Sequence, residues 1–412
     1  MTLDFKKLSL YSLYIYIATL YSLAYDTRLN LISKGMFILT LTFFCLHFVT
    51  KPRLNKGVIY IFMLSFTLYS TISCFWSQDF SMAYGRNLTL YQILALVFMI
   101  YNIVETESEL ESIIQSFFWG TIVMCGQTVI KHGLGTVLSM MIEGRRIGGD
   151  INQTNAFGYY CAIAFLIAMY NVIYKKKKIF IVLALIPLVF SFASGSRKSI
   201  LVVIAATALI IALQNGKIRI SRILGALALC ILLFAILYNI EALRPFFKRF
   251  TAMLNTFDKG DLGGGDNSIE TRMDMLRFGW DMFKKNILFG YGTEQYNVLY
   301  QAEYGMIRPS HNNYIQFLVC FGVVGTSLFY AMYVYVIKTA AKNIKQKEIL
   351  ATFVLILMIT ELTNQITTDI FLNKFTYIYL ALGFTYCNLI EQGLCINKKI
   401  KTEHERSCTL HE

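Results

Sequence analysis

Apolar residues run along this chain in long stretches, and short polar links separate them. The runs do not alternate, which argues against the strands of a membrane barrel. Most are close to 20 residues, about the length that carries an α-helix across a bilayer. In hydrocarbon each backbone polar group has to be satisfied within its own segment, so helices are the expected form. The pattern predicts about twelve spans, near 8–25, 31–49, 57–76, 87–104, 112–130, 154–174, 178–194, 199–214, 222–240, 312–337, 350–369 and 374–391. The expected fold is therefore an all-α integral membrane protein. Nine helices fall in 1–240, a large extracytoplasmic loop in 241–311, three helices in 312–393 and a cytoplasmic tail in 394–412.

Composition agrees. Of 412 residues, 56% are hydrophobic and only 15% charged, too few for the surface of a soluble protein this long. The net charge of +13 does not point to nucleic acid, because the basic residues cluster in short loops as membrane topology demands. They mark one side: Lys6 and Lys7, "KPRLNK" at 51–56, "YKKKK" at 174–178, "NGKIRISR" at 215–222, "KTAAKNIKQK" at 338–347 and the tail. That side is expected to be the cytoplasm, with both termini on it. No small-residue cleavage site follows the first run, which reads as an uncleaved span. Nine cysteines without a C-x-x-C pair suggest neither a disulfide framework nor a zinc site.

The 241–311 segment is long for a loop without function. It opens with "EALRPFFKRF", suited to an interface, and passes through a glycine-rich "KGDLGGGDN". A helix follows, with Asn267 and Glu270 in a capping-box pattern. Ile269, Met273, Leu276, Trp280 and Phe283 make its expected apolar face, and "GYG" at 290–292 ends it.

Against this apolar background five polar groups call for a role. Arg197 lies in "SGSRKSI", in a very short outer turn beside Ser196; it is a topological anchor or a site residue. Arg272 starts the loop helix, as a solvated face or as a ligand-binding group. His311 precedes Asn312 and Asn313 at a helix start, where free N–H groups favour anions. Arg145 and Arg146 sit among glycines in "EGRRIGGDINQTNAFG", a turn or a phosphate wrap. Glu361 lies inside a span at a cost of about 2.5–3.5 kcal/mol, which calls for a structural ion pair with arginine or a wet cavity. Together they suggest an outward, arginine-rich site for phosphate oxygens, since the guanidinium fork matches them bidentately. No metal-ligand spacing and no Walker motif occurs, so neither metal nor cofactor is expected.

Four stretches in order, "GGDINQTNAFG", "SGSRKSI", "ETRMDMLRFGWDMFKKNILFGYGTEQY" and "HNNYIQFLVCFGVVG", resemble the O-antigen ligase and polysaccharide polymerase family of bacterial inner-membrane glycosyltransferases. The resemblance covers about 145–325. It implies transfer of a glycan from a polyprenyl-pyrophosphate carrier to an acceptor hydroxyl. The family's functional arginines look like Arg197 and Arg272, and its histidine looks like His311; it leaves Arg145, Arg146 and Glu361 undecided. A glycan-linked lipid donor, a glycan or lipid acceptor, membrane lipids and other polysaccharide-assembly proteins are the expected partners. A polymerase is favoured over a ligase. The competing class is a lipid-linked glycan transporter, which should show repeats and midplane charges.

Overall fold

The computed structural model describes residues 4–23, 28–143, 145–149, 153–213, 221, 225, 228, 267–344 and 348–393. Among these the structure is helical, with no strand. The helices are α1 Phe5–Ser22, α2 Asn30–Thr50, α3 Ile59–Ser73, α4 Phe80–Ile103, α5 Glu107–His132, α6 Leu134–Ile142, α7 Thr154–Ile173, α8 Ile179–Leu183, α9 Leu185–Ala193 and α10 Arg197–Ala212. After the undescribed stretch come α11 Asn267–Lys285, α12 Gln295–Tyr304, α13 Asn313–Ile344, α14 Ile349–Asn364 and α15 Lys374–Glu391. Five are long and apolar enough to cross a membrane: α2, α3 with its short 3₁₀ extension, α5, α7 and α13. The α8–α9 pair and α14 are apolar but shorter. The expected span at 222–240, the "EALRPFFKRF" segment, the glycine-rich stretch and the tail lie outside the described residues.

Local signals set several helix ends. Asp79 accepts from the Met82 amide, and Thr106 with Glu109 closes a reciprocal capping box. Glu348 and Asn373 cap α14 and α15. The packing is concentric. Helices α7, α14 and α15 are buried almost all round, while α2 buries only Ser33, Thr40 and Phe44 and so lies on the perimeter. At one end Lys6 bridges Glu105 and Glu109, and Lys175 pairs with Glu111. The N-terminus, the acidic "ETESELE" link and the "YKKKK" link therefore share one end of the bundle.

Span ten, expected as one run over 312–337, is broken. Gly322 has φ 60° and ψ −166°, a backbone only glycine adopts with ease. The chain folds back there. The Asn313 amide donates to the Tyr330 hydroxyl at 3.0 Å, and the Tyr314 and Tyr330 rings lie 5.1 Å apart. A straight helix would separate residues 313 and 330 by about 26 Å. Residues 313–321 thus form a short arm beside the longer one, and 323–344, about 33 Å long, can still cross. The broken ladder is repaired by the 287–292 segment. The Tyr291 and Gly292 amides donate to the carbonyls of Val319 and Cys320, and the Val323 and Val324 amides donate to Ile287 and Leu288. Irregular backbone inside an apolar bundle persists only with such repair. A Cβ on Gly322 would overlap the Leu288 carbonyl, and one on Gly290 would overlap Gly322 itself.

The α11 helix occupies the predicted position, but its buried face differs. Met275, Phe278, Gly279 and Phe283 are buried, whereas Met273 and Trp280 are exposed. Phe278 packs edge-on to Tyr296 and Tyr300 of α12, and Gly279 meets Ile315 of the α13 arm. The helix carries apolar residues on two sides, one against protein and one outward.

Candidate functional site

The start of α13, the end of α14, the start of α10 and α11 converge at the end of the bundle opposite Lys6. The sequence after Arg308 builds a tight turn. The Ser310 amide donates to Gln316 and the Ser310 hydroxyl donates to the Asn312 carbonyl. Asn312 then caps α13 by accepting from the Ile315 amide at 3.0 Å. His311 is held between them at φ 52°, a strained value for a side chain this bulky, and is half-buried.

Asn312 and Asn313 are occupied by the fold. Asn312 donates to the Ile366 carbonyl; Asn313 donates to Tyr330 and Gln365 and accepts from the Ile370 amide. The two amides clip the hairpin arm to the α14–α15 link. Their hydrogen-bonding capacity fixes where His311 stands.

Around His311 the charge is of one sign. Burial pushes its imidazole below the ordinary histidine value, and the positive charges of Arg272, Arg308 and Lys198 push it further. Sequence reading passed over Lys198 as a flank of Arg197, although it stands inside the "SGSRKSI" motif. Its ammonium donates to Asn364 Oδ1 at 2.8 Å and Thr368 Oγ1 at 2.6 Å, and lies 5.5 Å from the centre of the Tyr159 ring. Arg308 was likewise missed; it is exposed at the rim.

Glu361 is almost wholly buried; Tyr159 donates to one oxygen at 2.6 Å and Thr376 to the other at 2.5 Å, with Lys198 in electrostatic reach. Hydroxyls and a lysine, rather than an expected arginine, meet the need of that carboxylate. Arg197 opens α10, directly before Lys198, and is half-buried. Arg146 braces the same turn: it donates to the Ser194 carbonyl at 3.0 Å and to Asn155 at 2.5 Å, while the Ile147 amide donates to Ala193. Arg145 turns instead to Glu143 at 2.7 Å and is largely exposed. The Ser196 hydroxyl is buried and has no partner among the described residues. The structure thus gathers His311, Arg272, Lys198 and Arg308, sets Arg197 and Arg146 at the adjoining turn, and leaves Arg145 aside.

A second charged group was not foreseen. Glu294, buried and in a left-handed conformation, lies 3.8 Å from Arg86. Burial, then the neighbouring Asp369, pushes its carboxyl up to about 7, against the pull of Arg86. Asp369 follows Thr368, the partner of Lys198. Among the described residues no group of three or more His, Cys, Asp or Glu converges as metal ligands would.

The apolar helices define a multi-pass membrane protein. Residues 182–330 match the family model described as O-antigen ligase, a match that runs from α8 into α13 and takes in Arg197, Arg272 and His311. It supports the O-antigen ligase and polymerase family and, with it, an enzyme of glycan transfer. A comparison with curated proteins gives no match.

Proposed function

We propose that this protein transfers an oligosaccharide or polysaccharide from a polyprenyl-pyrophosphate carrier to an acceptor hydroxyl at the outer face of a bacterial inner membrane, as a polymerase of surface-polysaccharide repeat units. The reading takes up the twelve-span topology with both termini cytoplasmic. The bundle end with Lys6 and Lys175 would face inward, and the His311 end outward. The observation that carries it is the cluster of Arg272, Arg308 and Lys198 around a half-buried His311, within the segment matched to O-antigen ligase.

Chemically, the bond between sugar C1 and the pyrophosphate oxygen breaks, and negative charge grows on the leaving pyrophosphate. Arg197 and Arg272, with Lys198, stabilise that charge from fixed positions, the largest contribution in reactions of this type. His311 takes the proton of the acceptor hydroxyl as its oxygen bonds to C1. An imidazole kept neutral by its cationic neighbours suits a base. Attack from the side opposite the leaving group inverts the anomeric centre. Arg146, Ser196, Asn312, Asn313 and Glu361 complete the proposed binding residues, and Arg145, turned to Glu143, is not among them; for the two asparagines and Arg146 the contribution is to hold the site's shape.

The test is electrophoresis of surface and carrier-linked glycans from a strain lacking the protein. Single repeat units in place of a ladder support the polymerase. Full-length polymer stranded on the carrier assigns the ligase reaction, joining glycan to a lipid A core or a protein. Repeat units trapped on the cytoplasmic face overturn both in favour of a transporter. Complementation with Arg197→Ala should restore membrane insertion but leave transfer reduced by about 10²–10³-fold; wild-type glycans from that strain refute the role of Arg197.

A further inference from the structure

Away from the His311 site, a cavity of about 500 Å³ opens among α1, α2, α4 and the start of α15. It shares no lining residue with that site. Leu20, Phe37 and Leu96 give it an apolar floor, and Asn30, Ser33 and Gln92 add polar groups to the lining. Two lysines, Lys34 and Lys374, also line it, one near the start of α2 and one opening α15. Both are exposed, and among the described residues neither has a hydrogen-bond or ion-pair partner. Ile38, one turn along α2, lines the same cavity and is 62% exposed. The cavity therefore reaches the apolar perimeter, where α2 is the least buried of the candidate spans.

Two ammonium groups over an apolar floor fit an amphiphile with an anionic head. Two like charges lining one cavity repel, and an anion between them reverses that term. Lysine serves as a point charge toward phosphate, and basic pockets between membrane helices hold lipid headgroups. Apolar walls that open sideways accept a hydrocarbon chain without burying it in water-filled space.

We propose that this cavity binds a phosphate-headed membrane lipid, with the phosphate between Lys34 and Lys374 and the chain along Phe37, Ile38 and Leu96. The proposal is independent of the transfer reaction, because the cavity shares no lining residue with the His311 site.

The test uses full-length protein in detergent, with lipid retention read by native mass spectrometry. The probes are phosphatidylglycerol, phosphatidylcholine and undecaprenyl phosphate, and the variants are Lys34→Gln, Lys374→Gln and the pair. Retention of phosphatidylglycerol over phosphatidylcholine should fall about fivefold per lysine removed. If undecaprenyl phosphate shows that lysine dependence and phosphatidylglycerol does not, the site stands and its lipid is the polyprenyl one. Lys284→Gln, an exposed lysine on α11, should leave retention unchanged. An equal loss in that variant, or no loss in the double variant, overturns the proposal. Leu96→Trp, which fills the floor while keeping both charges, should displace the lipid from protein of unchanged helicity; full retention there also counts against it.

Discussion

The two ends of the bundle treat charge in opposite ways. At one end Lys6 lies between Glu105 and Glu109, and Lys175 against Glu111, so each cation meets a carboxylate of the same fold. At the other, Lys198 is held by an amide and a hydroxyl, and Arg272 and Arg308 stand with it around His311. Glu361, a deeply buried carboxylate close by, is engaged by two hydroxyl donors. Charges paired in direct contact hold helices together; cations gathered around one histidine, with Glu361 reaching Lys198 only through its field, keep most of theirs for something that arrives. On the proposed function, the contrast separates residues that make the protein from residues that make it work.

His311→Ala should break the working end most severely, with transfer down about 10²–10⁴-fold in membranes containing normal amounts of protein. The pH profile sharpens this. Because the imidazole titrates below the ordinary histidine value, it loses its proton at lower pH than a free histidine does, and activity should fall at a correspondingly lower pH. The depressed value also means that its contribution to stability is present above 6.5 and lost as the pH falls through the folded value. A rate that declines already between pH 8 and 7 would remove His311 as the base. Lys198→Gln should lower transfer about tenfold or more with little change in melting temperature. Lys6→Gln should do the reverse, leaving transfer untouched and costing about 1 kcal/mol or less, as partly exposed ion pairs do. Equal activity losses in the two variants would erase the distinction between the ends.

Gly322→Ala tests the frame beneath the site. A side chain there meets the Leu288 carbonyl in a backbone region unfavourable to alanine, and about 1–3 kcal/mol of destabilisation should appear as a lowered melting temperature. An unchanged melting temperature would mean that the hairpin is not the folded form. A separate effect concerns Glu294. Its folded value near 7 lies above the ordinary 4.5, so its protonated form is favoured in the fold. That contribution is present below 4.5 and is lost as the pH rises through 7. Melting temperatures should decline from pH 5 to 8, and Glu294→Gln should flatten the decline.

Much of this was legible in the sequence. Eleven of the twelve expected runs fall on described helices, because apolar length is a strong signal. The family resemblance rested on stretches of which three overlap the later match at 182–330. The hairpin was hidden for a physical reason: residues 314–337 are apolar but for Gln316, Thr326 and Ser327, and an apolar run looks the same straight or folded back. Gly322 was one glycine among several. The buried face of α11 was misassigned because Trp280 and Met273 are as apolar as Phe278 and Met275, and nothing in one sequence tells lipid from protein. Lys198 and the hydroxyl partners of Glu361 were missed because they depend on which distant segments meet.

The mutual approach of Gly290 and Gly322 reaches beyond this chain. Neither position has room for a methyl group while the four backbone bonds between 287–292 and the helix break persist. A homologous sequence with a larger residue at one of the two cannot keep both the contact and the spacing. It should carry a compensating insertion or deletion between the loop helix and the histidine. The glycine pair is thus a ruler for aligning divergent relatives, with Gly290 and Gly322 as its two marks.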